Sequence, residues 1–225
     1  MEEEFETHRV FLLSPATVAG KRAKMLLNPE ARFDLARRLH ADGGLPLGEA
    51  FAFMSGLYFR GKLAYARAFA QPPHGTPGVL IITSSRGLVS ADAVVSAGEL
   101  RAYGNVPIDA KDERYSRPLI RDATSLAARC SKGCSFILLG SVASGRYLDH
   151  LLPIFGQRLY FPQEFVGRGD MSRGALLLRG VAANRLLTHV RVTGVPLRGR
   201  RPPKLAARRS VPSSVPYRNS KRHFN

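Results

Sequence analysis

The apolar residues of this chain fall into short unbroken runs separated by stretches with helical spacing. Residues 10–13, 78–83 and 135–139 are continuous apolar runs of strand length, the pattern of strands covered on both faces. Residues 21–40 have helical spacing, with a restart at Asn28-Pro29-Glu30 in which Asn28 caps and Pro29 enters the first turn, and a stop at Gly43-Gly44. Residues 49–54 and 61–69 predict two further helices joined through residues 56–60. Ser96-Ala97-Gly98-Glu99 has capping-box spacing ahead of a short helix. Residues 116–130 predict a helix capped by Ser116 with Pro118 in its first turn, and residues 146–155 another that Pro153 shortens or kinks. A short strand at 158–161 follows, then a Gly-Arg-Gly turn, a helix over 171–178 capped by Asp170, and an alternating edge strand at 187–192. From about Pro196 onward the periodicity is lost. This alternation predicts an α/β fold: a single three-layer domain over residues 1–195 with a mostly parallel central sheet, then a disordered basic Pro/Arg-rich tail over residues 196–225.

Charge adds what periodicity cannot. The chain has 225 residues and a formal charge of +17. Its last acidic residue is Asp170; the 55 residues beyond it carry 13 Lys and Arg and no carboxylate. Residues 1–170 carry 21 basic and 17 acidic residues, so the excess is concentrated at one end. Segregated cationic charge points to a polyanionic partner, nucleic acid above all. The tail residues Arg198, Arg200, Arg201, Lys204, Arg208, Arg209, Arg218, Lys221 and Arg222 are the candidate DNA- or RNA-binding set. A solubilising tail, or one clamped onto the acidic N-terminus, would use the same residues differently.

Other chemistry is sparse. Cys130 and Cys134 have no second ligand pair, so neither a metal site nor a disulfide framework is expected. No cofactor motif is present, and no run reaches the roughly 20 apolar residues of a membrane span. The acidic start is unlike a signal peptide, and a cytoplasmic location is expected.

Two strand ends run into small polar turns. One is Ser84-Ser85-Arg86-Gly87 after residues 78–83; the other is Gly140, Ser141, Ser144 and Gly145 between strand and helix. Ligands of open α/β sheets collect beyond the carboxyl ends of the strands, where amides and hydroxyls suit an anion. A nucleotide is therefore a possible ligand, although ordinary tight turns would have the same composition. A third polar turn holds Arg168 and Asp170; Asp170 is either a helix cap or a weak candidate for a catalytic carboxylate between Arg168 and Arg173. Tyr58-Phe59-Arg60-Gly61-Lys62 with Tyr65 interleaves aromatic and basic residues, which suits base stacking, or else marks core aromatics beside solvated charges.

The order of these pieces resembles a bacterial α/β group that includes the peroxide-stress (YaaA-like) proteins and related domains of unknown function. The resemblance lies in the early strand ending near Ser14-Pro15-Ala16, Leu57-Tyr58 with the helix through Tyr65-Ala66, the strand-turn from Leu80 to Val89, and Leu138-Leu139-Gly140 to Tyr147 followed by Pro162 and Gly167. It spans roughly residues 9–180 and implies a DNA-binding, stress-response context without assigning catalytic residues. Three functions follow as alternatives: a nucleic-acid-associated protein, an enzyme acting on a nucleotide or nucleic-acid base at the strand-end turns, or a stress or defence interaction module. The enzyme alternative requires the three turns to meet in one pocket.

Overall fold

The computed structural model describes residues 8–41, 43–143, 145–193, 199, 200, 202, 203 and 205. Six strands form the main sheet: β1 (His8–Leu13), β3 (Val79–Ile82), β4 (Leu88–Ser90), β6 (Cys134–Leu139), β7 (Leu159–Pro162) and β8 (His189–Arg191), in the order β4-β3-β1-β6-β7-β8. The four inner strands run parallel, and β4 and β8 pair antiparallel at the edges. The long parallel register between β1 and β6, from His8 opposite Cys134 to Leu13 opposite Leu139, sets the two most apolar runs side by side. Leu45–Pro46 (β2) and Val94–Val95 (β5) form a separate two-stranded ribbon.

The helices are α1 (Lys21–Leu27), α2 (Asp34–His40), α3 (Leu47–Ser55), α4 (Leu57–Phe69), α5 (Ala97–Gly104), α6 (Glu113–Arg129), α7 (Gly145–Phe155) and α8 (Asp170–Ala182). Strand residues alternate between two core clusters, as a period of two demands. Phe11, Leu13, Ile81, Ile137 and Leu139 join residues of α1 to α5 and α8, while Val10, Leu12, Ile82, Phe136 and Leu138 join α6 and α7. Helices thus cover both faces of the sheet. Against one face, α4 and α8 cross at van der Waals distance: a Cβ on Gly61 would stand 2.7 Å from the Gly174 carbonyl oxygen, and one on Gly174 would stand 2.8 Å from Tyr58 Cα.

Several boundaries differ from expectation. Asn28 does not restart a helix; its Oδ1 accepts from the Glu30 amide at 3.0 Å in a local turn, and α2 begins only at Asp34. The cap of α6 is Asp112, not Ser116, so Ser116 and Pro118 lie inside the helix. Pro118 is the sixth residue of the helix, past the first-turn positions whose amides have no intrahelical acceptor, so it removes one helical hydrogen bond. Asp170 is the first residue of α8, behind an N-cap at Gly169, and makes no capping bond. The Ser96–Glu99 capping box is present in full. Among the described residues no helix is long and apolar enough to cross a membrane.

Candidate functional site

The chain leaves β1 toward β3 on one side, then crosses from β3 to β6 on the other. The carboxyl ends of β1 and β6 therefore flank the point where strand order reverses, which is where open α/β sheets form crevices. A cleft of about 460 Å³ opens there, within the usual range for small-molecule sites. Ser84 comes from the turn after β3, Ser141 from the turn after β6, and Asp170 from the head of α8. Each of the three polar turns thus gives one residue to a single cleft.

The loop after β1 carries Ser14 into the same cleft, and Gly140 stands against it: a Cβ on Gly140 would lie 3.1 Å from Ser14 Cβ. Behind Ser14 is Lys62 of α4, 1% exposed. Its Nζ donates to the Ser14 carbonyl at 2.5 Å and lies 2.8 Å from Ser14 Oγ. The amine also sits over the faces of Tyr58 and Phe59, 4.6 and 4.8 Å from the ring centroids. Burial lowers the amine to about 7; Asp170 opposes that shift and Arg173 adds to it. Neither carboxylate nor phenolate pairs with it within ion-pair distance among the described residues.

Phenols line the rest. Tyr58 and Tyr103 are buried, their hydroxyls donate to no group among the described residues, and both border the cleft. Burial pushes Tyr58 up to about 12 against the pull of Arg173, so it remains a proton donor. Tyr147 is likewise raised to about 12 by burial, with Arg146 and a bond to Ser14 acting the other way. Arg146 is exposed at the rim, and Asp170 is exposed opposite, 3.9 Å from Arg173 Nη1.

The remaining predicted residues lie elsewhere. Ser84 is the only one of its turn to reach the cleft, and its hydroxyl donates to the Tyr103 carbonyl at 2.7 Å. Ser85 and Arg86 face a separate shallow depression with Pro118 and Arg121, and Arg86 pairs with Glu99. Gly87, at φ +66°, is held tightly: a Cβ there would come within 2.2 Å of the Asp122 carboxylate. Gly140 shapes the cleft without bordering it. At Gly145 a Cβ would be 2.4 Å from Asp149 Oδ1, so a carboxylate already faces the first turn of α7, which disfavours an anion there. Ser144 lies outside the described residues. Arg168 turns from the cleft to Ser172 Oγ at 3.3 Å and the Pro203 carbonyl at 3.2 Å.

Of the tail residues, Arg200 is described and exposed; Arg198, Arg201, Lys204, Arg208, Arg209, Arg218, Lys221 and Arg222, like the acidic residues at positions 2–6, lie outside the described residues. Arg200 and Pro202 approach Gly167, in the turn that leads to Asp170, and Leu205 packs on the core.

The sequence offered Lys62 either as part of a base-stacking set or as a solvated charge beside core aromatics, and Ser14 as a strand end; Lys62 is instead buried among those aromatics. The signal for Lys62 was present: it stands three and four positions beyond Phe59 and Tyr58, on the buried face of α4. No known protein family, curated protein or solved structure matches this chain.

Proposed function

We propose that this is a nucleic-acid-associated enzyme of the cytoplasm that acts on a nucleotide or nucleic-acid base held in the cleft at the carboxyl edge of a three-layer α/β/α domain. The cationic C-terminal residues supply affinity for the polymer. The observation that carries this reading is the convergence of Ser84, Ser141 and Asp170, from three separate turns, on one cleft that also holds Ser14 and Lys62. Arg200, whose backbone approaches Gly167 three residues before Asp170, supports a link between the polymer-binding charge and the cleft. Kinship with the peroxide-stress group belongs to the same proposal.

The test has two arms. Single-stranded oligonucleotide binding by the full chain should weaken steeply with salt, and changing Arg198, Arg200, Arg201, Lys204, Arg208 and Arg209 to Gln should flatten that dependence by several units of slope. Nucleoside monophosphates and free bases should bind with calorimetric heat that Ser141→Trp abolishes by filling the cleft. Salt-independent binding would overturn the first arm, and the absence of nucleotide or base binding the second.

A further inference from the structure

The Ser14 hydroxyl donates to the Leu139 carbonyl and accepts from the Lys62 amine, and the Tyr147 hydroxyl is bonded to it as well. The Leu139 carbonyl oxygen lies 3.3 Å from Oγ, while Lys62 Nζ lies at 2.8 Å. The amine's donor to the Ser14 carbonyl fixes its orientation, and the Tyr58 and Phe59 ring faces keep water from its other side. The two groups are arranged front to back: Ser14 borders the cleft, and Lys62 stands behind it, screened from solvent. A serine hydroxyl in direct contact with a buried lysine amine, which takes the hydroxyl proton once the amine is neutral, is the arrangement by which a serine is activated without histidine. In the same cleft two buried phenols, Tyr58 and Tyr103, offer O–H groups that no atom of the described residues accepts. Donors left unsatisfied in a cleft await an oxygen on a ligand.

We propose that Ser14 is a nucleophile with Lys62 as its general base, and that the cleft performs acyl transfer on an ester or amide carbonyl. This rests on the cleft being a site of chemistry, not on its ligand being a nucleotide. Ser14 Oγ bonds to the carbonyl carbon as its proton passes to Lys62 Nζ, and the carbonyl π pair moves onto oxygen, where the phenols of Tyr58 and Tyr103 donate. Collapse expels the alcohol or amine, which takes the proton from Lys62. Water, deprotonated by the same amine, then attacks the acyl-serine and releases the acid and free Ser14. A phosphoryl centre suits the site less well. Charge on its oxygens calls for a clamp of cations, whereas the cations bordering this cleft are Lys62 and Arg146, with Asp170 opposed to them.

A base in this role must be neutral near physiological pH, as burial of Lys62 allows; the groups that face it and bias its charge are Asp170 and Arg173 on α8, with Tyr58 beside it on α4.

The test is labelling of the full-length protein with an alkyl fluorophosphonate, which transfers its phosphorus to an activated serine with loss of fluoride. The adduct is mapped by peptide mass spectrometry. A single adduct on the Ser14 peptide is expected, with a rate that rises about tenfold per pH unit and levels near pH 7, as for a single titrating base. Ser14→Ala should abolish it, and Lys62→Met should slow it by at least ~100-fold. Circular dichroism verifies that each variant is folded, and the wild-type pH profile stands alone should Lys62→Met fail to fold. No Ser14 adduct on the folded wild type, a flat pH profile, or a folded Lys62→Met that labels at the wild-type rate would overturn the proposal. Labelling that nucleoside monophosphates do not slow would support the serine–lysine pair while removing the nucleotide reading.

Discussion

Replacing Lys62 with Met takes the amine out of the core and leaves an unbranched stem of similar length between Tyr58 and Phe59. In the folded chain the amine is lowered from 10.5 to about 7. Below about pH 7 it is protonated whether the chain is folded or not. Between about 7 and 10.5 only the unfolded chain binds the proton, so stability rises with pH across that window. The gap corresponds to on the order of 5 kcal/mol, a destabilisation fully present below pH 7 and absent above 10.5. Against it stand the two contacts to Ser14, together ~1–3 kcal/mol. The variant should therefore be more stable than the wild type at pH 7 by ~2–4 kcal/mol, and that advantage should shrink by ~1.4 kcal/mol per pH unit. Urea unfolding followed by far-ultraviolet circular dichroism at pH 7, 8 and 9 measures this, the chain having no Trp to report by fluorescence. The window is free of His189, which is lowered to about 4, and lies below the phenols of Tyr58 and Tyr147 at about 12. Parallel pH dependences for the two proteins would refute the reasoning, because they would mean that the Lys62 amine keeps its proton in the folded core.

Three further outcomes can be checked by melting. Gly61→Ala gains up to ~1 kcal/mol in helix propensity, yet its Cβ would meet the Gly174 backbone at 2.7 Å; a net loss of ~1–3 kcal/mol is expected, several degrees in Tm. His189, lowered by burial and by Arg9, makes the wild type lose ~1–3 kcal/mol as pH falls from about 6.5 to about 4, and His189→Gln should remove that slope from a denaturation series. Ser96→Ala deletes the hydroxyl half of the α5 capping box, leaving the residue-96 amide bonded to Glu99, and should cost ~1 kcal/mol.

The strands were legible because a strand buried on both faces has to be apolar throughout, and residues 79–82 and 134–139 are buried without exception. The capping box at Ser96 was legible because its chemistry is entirely local. Helix starts at Asp34 and Glu113 were misplaced because Asn28 and Ser116 are capping residue types whose actual roles depend on tertiary context. Residues 88–90 drew no element of their own, since an edge strand of three half-buried residues leaves almost no pattern. The site was partly legible: small polar turns after strands identified Ser84 and Ser141, while Arg86 and Arg168 point to Glu99 and to Ser172, partners that no local pattern specifies. The Ser14–Lys62 pair spans 48 positions, and its existence depends on how α4 lies against the end of β1.

That dependence bears on what Lys62 is for. If its role were to tie α4 to β1, an apolar side chain of the same length would do so without the desolvation of an amine, since buried charged groups are commonly replaced by hydrophobic ones with no loss of stability. The surrounding helix is already secured by the close crossing of Gly61 on Gly174 and by Phe59, Leu63, Tyr65 and Ala66 in the core. The niche is also arranged to hold an amine in particular: two ring faces, and a carbonyl and a hydroxyl oxygen that each accept one of its hydrogens. A group that costs the fold stability at neutral pH, and whose lowered proton affinity falls near that pH, fits a role in moving a proton better than a role in packing. The two roles separate cleanly in Lys62→Met: greater stability together with lost Ser14 reactivity follows only from the first.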